Sequence, residues 1–168
     1  SVGGKHEPYR QSERKEIYRS YALQLVESGK AYYAFDTAEQ LEQQRQTAEQ
    51  KKETFSYGSA TRMKLNNSLA LTIKEVNERL SNNVPYVIRL KVPENETITF
   101  TDLIRGEVSF DSNLVDDKVL LKSDGMPTYH LAHIVDDYLM EITHAIRGEE
   151  WLPSAPAHIL IYRYLGLT

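Results

Sequence analysis

VLLKSDGMPTYHLAHIVDDYLMEITHAIRGEEWLPSAPAHILIYRYLG (residues 119–166) passes from strand to helix and back again in its hydrophobic period, and that alternation predicts the fold. VLLK (119–122) is almost wholly apolar, the pattern of a strand covered on both faces. SDGMP (123–127) reads as a turn. From Thr128 to about Met140 the apolar residues recur at helical spacing, EITHAIR (141–147) returns to strand, and Gly148 turns the chain. Ser154 and Pro156 open a last amphipathic helix that ends at Gly166. The β-α-β-α order of 119–165 implies a parallel, two-layer unit.

Upstream, Ile17, Tyr18, Tyr21, Ala22, Leu25 and Val26 predict a helix over 12–28, with Glu13 in its positive first turn and Gly29 as its stop. AYYAF (31–35) reads as a short strand. Thr37 with Gln40 has capping-box spacing and opens a polar helix, TAEQLEQQRQTAEQKKE (37–53), whose scarcity of apolar residues assigns it to solvent. Thr72 with Glu75 is a second capping box, opening TIKEVNERL (72–80). After Pro85 the pattern is β: YVIRLKV (86–92), TITFTDL (97–103) and, after Gly106, EVSF (107–110), expected as a small antiparallel meander. An N-terminal helix and a C-terminal βαβα unit thus bracket a mixed insert.

With 168 residues the chain can build one good core or two small ones. Hydrophobic residues at 40% and charged residues at 26% place it with globular proteins in water. It has no run of about 18 apolar residues, so no membrane span is expected, and SVGGKHEPYRQSER (1–14) lacks the apolar core of a secretory signal. The absence of cysteine removes disulfides and thiolate zinc sites and fits a reducing cytoplasm. The net charge of −4 and pI of about 5.8 differ from the basic balance, pI above roughly 9, of dedicated nucleic-acid-binding domains. RNA contact would need a local patch. Lys51, Lys52, Arg62 and Lys64, flanking Phe55 and Tyr57, offer one; the alternative is a solvated surface with incidental aromatics.

Residues 129–151 hold the densest polar and aromatic set. His130, His133 and Asp137 share one predicted helical face, with Asp136, His144, Glu149 and Glu150 further on, and could bind a divalent ion. The spacing matches no fixed ligand pattern, and packed or hydrogen-bonded histidines explain it equally. Arg147 instead falls at the C-terminal end of a predicted parallel strand, the sheet edge where α/β proteins bind ligands. Its guanidinium there can grip a carboxylate through two parallel hydrogen bonds, with Tyr129 and Trp151 as aromatic walls. The alternative is an Arg–Glu surface pair with Glu149 or Glu150. Neither a glycine-rich phosphate loop nor a Ser-His-Asp set is present.

LLKSDGMPTYHLAHIVDDYLMEITHAIRGEEWLPS (120–154) resembles the second half of the catalytic domain of glutamyl-tRNA synthetases of bacterial type. PYRQSER (8–14), the helix after it and GKAYYAF (29–35) resemble the end of the first half, and VIRLKVPENETITFTDLIRGEVSF (87–110) the insertion that binds the tRNA acceptor stem. The resemblance implies an α/β fold: part of a class I Rossmann-type core, residues 1–30 and 119–168, carrying an inserted α+β connective domain over 31–118. It implies ATP-dependent ligation in two steps, glutamate attacking the α-phosphate of ATP and the adenylate then esterifying tRNA(Glu), with Mg²⁺ accompanying ATP in the cytoplasm. By motif position Tyr129, His133, Arg147 and Trp151 would bind L-glutamate, Arg147 facing its side-chain carboxylate, and Glu150 would contact ATP. No catalytic residue is expected within this stretch.

Two positions depart from the pattern. Many relatives have Asn where this chain has His133, and the Cys-rich zinc site of some relatives aligns with AYYAFDT, where Ala34 and Asp36 stand. No structural zinc and no other metal site is expected. The family's His-x-Gly-His and Lys-Ser-Lys signatures are expected before residue 1 and after residue 168, so the 168-residue segment alone is expected to be inactive. Glutaminyl-tRNA synthetases are the nearest alternative, but a neutral carboxamide needs no guanidinium fork, and IRGEEW (146–151) favours glutamate. A truncated relative that glutamylates a modified tRNA base shares the pocket motifs, and a non-catalytic RNA-binding module resting on the basic patch is the remaining reading.

Overall fold

The computed structural model describes residues 11–102, 104–140 and 154–166. Helix α1 (Gln11–Glu27) stops where expected. Gly29 takes φ +77°, its N–H donates to Val26 O at 3.0 Å, and the N–H of Lys30 reaches back to Leu25 O at 2.8 Å, closing a Schellman turn. Strand β1 (Ala31–Ala34) follows at once. Both capping boxes form: Thr37 and Gln40 open α2 (Ala38–Gln50), and Thr72 and Glu75 open α3 (Ile73–Ser81). Neither helix buries a residue, in keeping with the polar faces of both.

Strand β2 (Val87–Leu90) is the centre of a three-stranded sheet, between β1 and β5 (Val119–Leu121). Among the described residues the pairings in this sheet are antiparallel, with Ala31 opposite Leu90 and Ile88 opposite Leu121. Strands β3 (Thr97–Asp102) and β4 (Gly106–Asp111) form a separate hairpin. The expected meander of 86–110 is therefore corrected. Both edges of β2 are already taken by β1 and β5, so no backbone donors remain for β3. Asn95, at φ +53°, carries the chain away from the sheet instead. Strand β5 runs antiparallel to β2, a pairing separate from the parallel unit expected over 119–165. The strand expected at 141–147, which would have been its parallel neighbour, lies outside the described residues.

Leu120 and Leu121 are both buried, consistent with a strand covered on its two faces. Thr128 fixes the start of α4 (Tyr129–Leu139) onto β5, its Oγ1 donating to Val119 O at 2.6 Å and its N–H to Leu120 O at 2.9 Å. Leu131, Ile134 and Val135 of α4 meet Ala157, Leu160 and Ile161 of α5 (Ala155–Tyr164), together with Tyr18, Ala22 and Leu25 of α1, in one core on the sheet. Asp136 of α4 also accepts hydrogen bonds from Arg14 at 2.9 Å and Tyr18 at 2.5 Å, tying α1 to α4. A smaller cluster of Tyr32, Ala34, Tyr57 and Leu65 packs the 51–72 loop onto β1.

Candidate functional site

The first turns of α4 and α5 bring four rings together. Tyr129 and His133 lie one helical turn apart on α4, their ring centroids 5.4 Å from each other. His158 enters from α5, 5.3 Å from Tyr129 and stacked on His133 at 5.0 Å and 28°. His130 Nδ1 and His158 Nε2 are 3.2 Å apart, so one nitrogen donates and the other accepts. Tyr129 is half-exposed at 52% and His158 is buried at 1%, so the cluster grades from solvent into the core. Burial first, and the Lys118 charge second, push the His130 imidazole below its ordinary pKa and favour its neutral form.

The cluster supplies an aromatic wall, a phenolic hydroxyl and an imidazole at the N-terminal end of α4. His133 Nε2 also lies 3.6 Å from Asp137 Oδ2, one turn further along. His130 is thus bonded to His158, while His133 stacks on His158 and has Asp137 beside its Nε2. Among the described residues no three His, Cys, Asp or Glu side chains form a group that could hold a metal ion. His144, Arg147, Glu149, Glu150 and Trp151 lie outside the described residues. Of the expected glutamate-binding set, then, Tyr129 and His133 are seen side by side. His158 was not singled out by sequence, since a lone histidine in an apolar helix reads as packing; the signal was its place in a face otherwise filled by Ala157, Leu160 and Ile161.

The basic patch needs one correction. Lys51, Lys52 and Lys64 are exposed, but Arg62 is buried at 2% exposure and Tyr57 at 5%. Arg62 Nη1 donates to Asp117 Oδ2 at 3.1 Å and to Val92 O at 3.0 Å. Asp117 also accepts from the Tyr32 hydroxyl at 2.6 Å and the Val92 N–H at 3.0 Å. Burial pushes the Asp117 carboxyl up, against the lowering pull of those three donors. Arg62 thus pins the 51–72 loop to Val92 and Asp117, just beyond the ends of β2 and β5. Beside it, the Arg89 guanidinium lies 3.9 Å over the Tyr57 ring and donates to Asp117 O at 2.8 Å. Sequence gave no hint of this network, because its members are scattered from Tyr32 to Asp117. A cavity of about 480 Å³ is lined by Phe35, Leu41, Tyr86, Val87 and Arg89, none of which belongs to the Tyr129–His133 cluster. No described helix is long and apolar enough to cross a membrane.

The family described as tRNA synthetases class I (E and Q), catalytic domain, matches residues 2–168. The glutamate–tRNA ligase of Cytophaga hutchinsonii is 61% identical over 98% of the chain and 32% of its own length. That of Christiangramia forsetii is 58% identical over 95% of the chain and 32% of its length. The crystal structure of a glutamate tRNA ligase from Elizabethkingia meningosepticum, in complex with its amino acid, superposes with a TM-score of 0.90 at 51% identity, covering 98% of this chain and 33% of that one. The chain spans about a third of the length of the relatives it matches.

Proposed function

Since this chain belongs to the class I tRNA synthetases (E and Q), within their α/β catalytic domain, we propose that it carries the glutamate pocket of a glutamate–tRNA ligase. The observation that carries this reading is the side-by-side placement of Tyr129 and His133 at the N-terminal end of α4, in a chain so similar to ligases of that name. Within the proposal, Arg147 grips the side-chain carboxylate of L-glutamate through a bidentate fork. Tyr129 and Trp151 wall the pocket, His133 donates a hydrogen bond to the substrate, and Glu150 contacts ATP.

The chemistry follows from those placements. A bound glutamate presents its α-carboxylate to the α-phosphate of ATP, which arrives with Mg²⁺. One carboxylate oxygen forms a bond to phosphorus as the bond to pyrophosphate breaks. The terminal ribose hydroxyl of tRNA(Glu) then attacks the acyl carbon and AMP leaves. Holding the amino acid in one orientation is the part this chain's residues contribute. Residues 1–30 and 119–168 are assigned to a Rossmann-type core and 31–118 to the connective domain that meets the acceptor stem. Lys51, Lys52 and Lys64 are the cations of that surface, and the reaction is placed in the cytoplasm.

The test is Arg147→Ala in the full-length protein. Loss of a desolvated charge pair is expected to raise KM for glutamate about 100-fold, with KM for ATP changed less than about threefold. Equal losses for both substrates would refute the assignment of the pocket. A preference for glutamine over glutamate in the unmodified protein would refute the ligase named here.

A further inference from the structure

Three rings of the Tyr129 cluster sit on α4, but the ring they all touch comes from α5. His158 contacts Tyr129 at 5.3 Å, His130 at 5.4 Å and His133 at 5.0 Å, and it is 1% exposed. Leucine or phenylalanine would fill such a place in a helix face shared with Ala157, Leu160 and Ile161 without bringing a polar ring into the core. A hydrogen bond offsets part of the cost of burying an imidazole, and His158 Nε2 meets His130 Nδ1 at 3.2 Å. That bond fixes the ring about its long axis, which a purely apolar contact would leave free. The fixed ring then presents one face to His133, nearly parallel at 28°, and lies against Tyr129.

We propose that His158 is a positioning residue for the amino-acid pocket: its bond to His130 orients the ring on which Tyr129 and His133 rest. This inference rests on the reading of Tyr129 and His133 as glutamate-binding residues. His158 is too deep to touch a ligand above Tyr129, so its effect passes through the two side chains it supports. Preorganised side chains bind without first being ordered, and loosening them costs affinity for the ligand they hold. The loss is therefore expected for glutamate and not for ATP.

The experiment is steady-state kinetics of the full-length protein with His158→Leu and His158→Gln. Leucine fills the volume without a hydrogen bond, whereas glutamine returns an amide near the position of Nε2. His158→Leu is expected to raise KM for glutamate about tenfold, the equivalent of one lost hydrogen bond to a fixed partner, with KM for ATP within about twofold. His158→Gln is expected to recover most of that loss. An unchanged glutamate KM in His158→Leu overturns the proposal, as do equal losses in the two variants or parallel rises for glutamate and ATP. Should His158→Leu fail to fold, His130→Leu removes the same bond from the half-buried side and must give the same glutamate-selective loss; an unchanged glutamate KM there overturns the proposal too. Arg147→Ala separates the two levels. If it leaves glutamate KM unchanged, the pocket reading fails; if it raises KM while His158→Leu does not, only the positioning role fails.

Discussion

Arg62 and Asp117 form a buried ion pair whose partners are 2% and 0% exposed. Removing one member leaves the other charged or unsatisfied inside the protein, so Arg62→Ala is expected to destabilise by about 3–5 kcal/mol. Urea unfolding should show this as a lower midpoint at unchanged slope. A loss below about 1 kcal/mol, the range of exposed pairs, would mean that Arg62 is solvated. His130 gives a pH dependence of known sign. Its folded pKa lies below the ordinary 6.5, so between the two values the unfolded chain holds a proton that the native state has released. Its contribution to stability is complete above 6.5 and declines as pH falls from there toward the folded value. His130→Gln should flatten the decline of melting temperature in that window. Arg62 also marks the limit of local reading: its burial depends on Asp117 and Val92, which lie far along the chain, and its own neighbours do not name those partners.

Elements were more legible, because their signals are local. The two capping boxes and the Gly29 stop each need only three or four neighbouring residues to be right. At Gly29 an added Cβ would meet nothing within 4 Å, yet φ is +77°. Gly29→Ala should therefore cost about 1–2 kcal/mol through backbone strain alone. A thermal melt that shows no loss would mean that the turn readjusts. The strands β1, β2, β3 and β5 lie within their expected segments, and β4 runs one residue past each end of 107–110. Strand partnership was not legible. YVIRLKV (86–92) carries the same β-branched pattern whether its neighbours are β1 and β5 or the β3–β4 hairpin. Pairing is decided by which edges are vacant, and that depends on residues as remote as Ala31 and Leu121.

At the scale of the whole molecule, α1, α4, α5 and the sheet share one apolar core. Leu160 is fully buried in it, and Leu160→Ala is expected to cost about 2–5 kcal/mol. The shared core further predicts a single cooperative transition in that variant, with probes on α1 and α4 coinciding; separate transitions would mean that the helices pack independently. The sequence by itself determined the helices and their caps, the strands as segments, and the family resemblance that singles out Tyr129 and His133. These rest on periodicity, φ preferences and long local strings, all of which are properties of neighbouring residues. Only the tertiary structure decided that β2 is central and antiparallel to β5, that Arg62 is buried on Asp117, and that His158 lies beneath Tyr129 and His133. Those are facts about residues far apart in the chain, from His133 and His158 to Ala31 and Leu90, set by the packing of α5 on α4, the pairing of the strands and the seating of the 51–72 loop on the sheet. A residue's hydropathy states whether it can be buried; which partner it finds there is a property of the assembled core.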